Sequence, residues 1–117
     1  MSLLTSAVSM TKAMVQIDST DPGTYEKAMA DWIEQQLSDL SNVLITRENV
    51  LPGRPNLMAE IPGPKHLPAL VMICHMDTVV IGDGWTLPPF EAIEKDGKIY
   101  GRGACDMKSG LACCLSA

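Results

Sequence analysis

Apolar residues recur at helical spacing from residue 3 to residue 17, where Leu3, Leu4, Ala7, Val8, Met14 and Val15 share a face that Thr11 interrupts. That pattern predicts an amphipathic helix, and the turn cluster Asp18-Ser19-Thr20-Asp21-Pro22-Gly23 ends it. A second helix is predicted over residues 25–40, capped by Thr24, with Tyr25, Ala28, Met29, Trp32, Ile33, Gln36, Leu37 and Leu40 in one stripe. The period then changes. Val43-Leu44-Ile45-Thr46 and the partly alternating stretch Asn56 to Ile61 read as short strands, the second bracketed by Pro52, Gly53, Pro55, Pro62, Gly63 and Pro64. Leu70-Val71-Met72-Ile73-Cys74 is a continuous apolar run and predicts a strand buried on both faces of a helix-covered sheet. Residues 81–90 form a loop rich in Gly and Pro, Asp96-Gly97 predicts a tight hairpin within Glu91 to Ile99, and Asp106 is placed to cap a third helix running to Ala117.

Helices and strands in this order predict an α/β layer architecture. The 117 residues fit one small domain, and a hydrophobic content of 46% argues against disorder. The third helix leaves Leu111, Cys113, Cys114 and Leu115 wanting a partner, so the domain is expected to be incomplete at Ala117. A net charge of −5, with Lys and Arg unclustered, excludes a nucleic-acid footprint and a polybasic membrane anchor. No apolar run approaches the ~20 residues of a membrane span. Met1-Ser2-Leu3-Leu4 makes a poor signal peptide, Met1-Ser2-Leu3 is compatible with an added leader, and the expected compartment is the cytoplasm. Cys74, Cys105, Cys113 and Cys114 show neither a spaced disulfide framework nor a CxxC pair, which suits a reducing compartment.

Candidate chemistry centres on two stretches. His75 follows the apolar run directly, and strand ends are where ligands bind in helix-covered parallel sheets. Asp77 lies two residues on, so extended backbone points both side chains the same way, and a carboxylate there can fix the imidazole tautomer. Asp106 follows a Gly-rich turn and precedes a helix, where free N–H groups stabilise a carboxylate. Taken alone, His75 also fits an ordinary hydrogen-bonded strand end and Asp106 an ordinary N-cap. Gly101-x-Gly103 is not a dinucleotide loop, because Asp106 occupies the place of the third Gly and would repel a pyrophosphate.

Cys74-His75-Met76-Asp77-Thr78-Val79 and Gly101-Arg102-Gly103-Ala104-Cys105-Asp106-Met107-Lys108-Ser109-Gly110 resemble the two N-terminal signatures of the co-catalytic zinc peptidase and deacetylase family. That family includes acetylornithine deacetylase, succinyl-diaminopimelate desuccinylase, the aminoacylases and carboxypeptidase G. Gly82-Asp83-Gly84-Trp85 with Pro89-Phe90 is similar to the deacetylase and desuccinylase branch, and Ile17-Asp18-Ser19 with Pro22-Gly23 is similar to the family's first loop. The resemblance implies that His75 ligates one zinc ion, that Asp106 bridges two, and that Asp77 orients His75 or supports the general base. It also implies a cis peptide after Asp106. Cys74 stands where a small Ser, Gly or Ala is usual in the family, and Ser109 where Gly is common. The resemblance puts the catalytic Glu and the remaining ligands downstream of the Asp signature. Glu91 and Glu94 precede it and read as hairpin surface residues, and His66 reads as a solvated loop residue.

Residues 1–117 are therefore expected to be the N-terminal part of a zinc-exopeptidase-like α/β catalytic domain with a helix-covered mixed sheet, truncated before the rest of the domain and before a lid and dimerisation domain. The expected parent is a homodimeric, metal-dependent hydrolase of amide bonds in N-acyl amino acids or small peptides, using two divalent ions, zinc or else cobalt or manganese. Two ligands shared between two ions predict weak or no metal binding, and no activity, for the segment alone. The alternative is a truncated or degenerate, non-catalytic relative that acts by packing against another chain.

Overall fold

The computed structural model describes residues 3–117, with side chains from Ser6 onward. Met1 and Ser2, and the side chains of Leu3 and Leu4 in the first stripe, lie outside the described residues. Helix α1 spans Leu3–Val15 and ends at the predicted turn cluster. Its buried face includes Met14 and Val15, both fully enclosed. Thr11, the polar interruption, is buried too and returns its hydroxyl to the Ala7 carbonyl at 2.8 Å, so the helix satisfies it internally.

Beyond α1 come β1 (Thr20–Asp21) and α2 (Lys27–Leu37). Helix α2 buries Met29, Ala30, Ile33 and Leu37, while Gln36 and Leu40 of the predicted stripe are exposed. Full burial of side chains such as Met29 and Ile33 contributes roughly 1.5–3 kcal/mol each. Thr24 does not cap this helix. Its hydroxyl turns back to Asp18, and Glu26 takes the cap position without a side-chain cap bond. Glu26 is committed elsewhere: with Asp21 it holds Arg54, which also stacks over Tyr25 at 4.7 Å.

Three two-stranded ladders follow. Strands β2 (Leu44–Leu51) and β3 (Arg54–Glu60) form an antiparallel hairpin with an irregularity between Asn49 and Leu51. Strands β5 (Ile93–Lys95) and β6 (Lys98–Tyr100) form the predicted hairpin, with Asp96 at φ 52° and Gly97 at φ 70°. Such left-handed backbone at both central residues is what a two-residue turn of this hand requires. Strand β4 (Thr78–Val79) pairs parallel to β1, Thr20 opposite Thr78. Helix α3 spans Ser109–Ser116 and packs on α1. Met14, Met29, Ile33, Leu37, Leu111 and Ala112 join the three helices into one core, with Ile45, Leu57, Cys74 and Met76 against it.

The chain is thus α/β, with both parallel and antiparallel pairing, but two expectations need correction. Residues 70–74 are not a buried strand: no ladder includes them, and Leu70, Val71 and Ile73 are 86%, 73% and 89% exposed. Burying both faces of an apolar strand needs paired neighbours, and the described residues bring none to it. Nor does Asp106 cap α3. It sits inside a broken turn over Ala104–Lys108, and α3 begins three residues later at Ser109.

Candidate functional site

The apolar run delivers His75 to the edge of the core, and β4 begins at Thr78, so the His75-Met76-Asp77 loop is held at its far end by the ladder to β1. Ser19, fully buried, grips that loop twice. Its hydroxyl donates to the Met76 carbonyl at 2.8 Å, and its own carbonyl accepts from the Thr78 N–H at 3.0 Å.

The second loop is shaped by glycine. A Cβ on Gly101 would lie 2.3 Å from Val15 Cγ1, and one on Gly103 would lie 2.6 Å from Thr78 Cγ2. Gly103 also has φ 81°, a conformation that side chains disfavour. The pair of glycines therefore serves close packing of the second loop against α1 and β4. Beyond it the backbone leaves helical geometry at Asp106 (φ −124°, ψ 101°) and Met107, and the Asp106–Met107 peptide is cis, as the resemblance implies.

Lys108 anchors this turn from beneath. It is 1% exposed, and its Nζ donates to the carbonyls of Met14 at 2.9 Å and Ile17 at 2.7 Å. A cation is favoured at a helix C-terminus, where carbonyls lack partners. Burial nevertheless pulls its pKa down to about 8, with Asp18 acting in the opposite direction. Neither Lys108 nor Ser19 emerged from the sequence as a site residue. Lys108 sits inside the second signature, but nothing in the pattern marks a lysine as buried.

The two loops bring His75 and Asp106 together. His75 Nε2 lies 2.8 Å from Asp106 Oδ1, and Nδ1 lies 3.0 Å from the Asp77 carbonyl oxygen and 3.4 Å from its carboxylate. The carbonyl, more than the carboxylate, is the partner that orients the ring. The hydrogen bond to Asp106 leads the factors that raise the His75 pKa, against a smaller opposing effect of burial. The Asp106 side chain is 86% exposed, so the pair opens to solvent. An imidazole nitrogen and a carboxylate oxygen are suitable zinc donors. Among the described residues no group of three or more His, Cys, Asp or Glu gathers to hold an ion. Glu94 is on β5 and pairs with Lys12 of α1, away from this pair.

Residues 71–117 match the model of peptidase family M20/M25/M40. Over these residues the chain is similar to that family. Both candidate loops, with His75 and Asp106, fall inside it. The chain is also 41% identical over 91 residues to a probable succinyl-diaminopimelate desuccinylase of Staphylococcus epidermidis, covering 74% of this chain and 21% of that protein. It is 52% identical over 60 residues to a probable succinyl-diaminopimelate desuccinylase of Staphylococcus aureus, covering 50% and 14%. It is 50% identical over 64 residues to a succinyl-diaminopimelate desuccinylase of Gluconacetobacter diazotrophicus, covering 54% and 16%. The chain thus spans between 14% and 21% of the length of these relatives. No helix among the described residues is long and apolar enough to cross a membrane.

Around the site, the Cys74 thiol is pushed up by burial and by the neighbouring Cys114 thiol. Arg102 stacks over Trp85 at 5.1 Å, and both donate to the Ile81 carbonyl, closing the 81–90 loop onto the second signature.

Proposed function

We propose that this chain is part of an M20-family protein and contributes the first two metal-binding loops of a divalent-metal-dependent amide hydrolase. The observation that carries the reading is the 2.8 Å approach of His75 Nε2 and Asp106 Oδ1, with the other ring nitrogen already engaged by Asp77. A histidine that ligates through one nitrogen needs its second nitrogen held in this way. In this reading His75 and Asp106 hold metal, Asp77 positions His75, and further donors come from polypeptide outside these residues. Bound zinc, cobalt or manganese supplies Lewis-acid polarisation of an amide carbonyl and a more acidic water. The substrate class is an N-acyl amino acid or short peptide, and the relatives' names point to a succinylated diamino acid. A cytoplasmic homodimer belongs to the same reading.

The test is zinc-dependent release of succinate from N-succinyl-diaminopimelate by the polypeptide that carries this chain at the length of its relatives. His75→Ala and Asp106→Ala should each lower kcat/KM at least ~10³-fold, since both remove the metal rather than a peripheral contact. Undiminished turnover in either variant at saturating zinc would overturn the assignment. A second reading, a non-catalytic relative that packs against another chain, draws on the exposed run at 70–73. It requires that no zinc-dependent turnover be found with any acyl amino acid.

A further inference from the structure

Cys74 and Cys114 stand 40 residues apart in sequence, yet their sulfur atoms approach to 3.7 Å. Cys74 ends the apolar run immediately before His75, and Cys114 lies on α3. Both are free and half-buried, and Cys74 packs against the core. Cys105 and Cys113, by contrast, are exposed. Disulfide sulfurs are bonded at about 2.05 Å, so closing the gap needs the two sulfurs to approach by only about 1.7 Å.

We propose that Cys74 and Cys114 are a reversible thiol–disulfide site, oxidised by peroxide. One thiolate attacks a peroxide oxygen, breaks the O–O bond and becomes a sulfenic acid, with hydroxide as leaving group. The second thiol then attacks the sulfenic sulfur, forms the S–S bond and expels water. In balance, two thiols and one hydrogen peroxide give one disulfide and two waters: each sulfur gives up one electron, and the peroxide takes both. The bond ties the residue before His75 to the helix that follows Asp106. Reducing compartments keep such a pair open, so its oxidation is a response and not a resident staple.

The test treats the reduced chain with hydrogen peroxide, alkylates the remaining thiols and maps them by mass. The expected product has lost two hydrogens, takes two alkyl groups in place of the four of the reduced chain, and links the Cys74 and Cys114 peptides. Dithiothreitol should restore all four thiols. Because Cys113 adjoins Cys114, the Cys105→Ser, Cys113→Ser double variant is run alongside and should form the same link. Cys114→Ser, a near-isosteric change, should abolish it. Closing a loop of this length should raise the Tm of the oxidised chain by on the order of 10 °C over the reduced one. A link between Cys105 and Cys113, which line one groove, would overturn the proposal. So would oxidation to sulfinic acid with no crosslink.

Discussion

Gly103 has no room for a side chain. A methyl there meets Thr78 at 2.6 Å and the Lys108 stem at 3.1 Å, and the backbone is left-handed besides. Gly103→Ala should therefore cost roughly 2–4 kcal/mol, the sum of the conformational penalty and overpacking, read as a lowered urea midpoint. Lys108→Met keeps most of the buried stem but removes the ammonium donor from the Met14 and Ile17 carbonyls, leaving Met14 only the Ile17 N–H. We expect a loss of about 2–3 kcal/mol in the same assay. Asp18 offers a test by pH. Burial alone would raise its pKa, but the Thr20 N–H, the Thr24 hydroxyl and the Lys108 cation together bring it below the ordinary 3.8. The folded chain then holds fewer protons than the unfolded chain in the acid range. Its stabilisation is present above 3.8 and is lost as pH falls through the lowered folded value. Asp18→Asn should flatten the fall of the unfolding midpoint as the pH drops below 3.8, and an unchanged slope would refute the assignment.

Among the elements, those with a strong local signal were legible in the sequence. The 3.6-residue period gave α1 and α2 to within a few residues, and Asp96-Gly97 gave the β5–β6 hairpin because only certain residues tolerate two consecutive left-handed conformations. The β2–β3 hairpin was only half legible. Pro52-Gly53 reads as a boundary, whereas in the fold it is the connection between two paired strands. The run at 70–74 shows the opposite failure. Its composition announces burial, but burial is a property of the neighbours and not of the run. An exposed, unpaired and apolar segment is a template for association. Val71→Lys with Ile73→Lys should therefore reduce self-association of the chain, seen as a lower weight-average mass in sedimentation at matched concentration. That His75, Asp77 and Asp106 are candidate site residues was legible only through the resemblance of their two stretches to the family signatures, since residue type and spacing alone left His75 as a strand end and Asp106 as an N-cap. Ser19 and Lys108 were not, because both act through backbone carbonyls that no sequence pattern records.

At the scale of the whole molecule the fold is open. The radius of gyration is 15.1 Å, where a close-packed chain of this length would give about 13 Å. The helices and the β1–β4 ladder make the compact part, and the exposed apolar run lies outside the paired strands. The stretch from Met14 to Thr20 binds that compact part together. It carries the two carbonyls that hold Lys108, the Ser19 contacts to Met76 and Thr78, and the first residue of β1. The His75 loop and the Asp106 turn thus hang from one short stretch that belongs to neither signature. The amide protons of Thr78 and Lys108 should accordingly exchange with solvent at matched opening free energies, as one cooperative unit. Ser19→Ala should speed exchange at Lys108, although Ser19 makes no direct hydrogen bond to that residue.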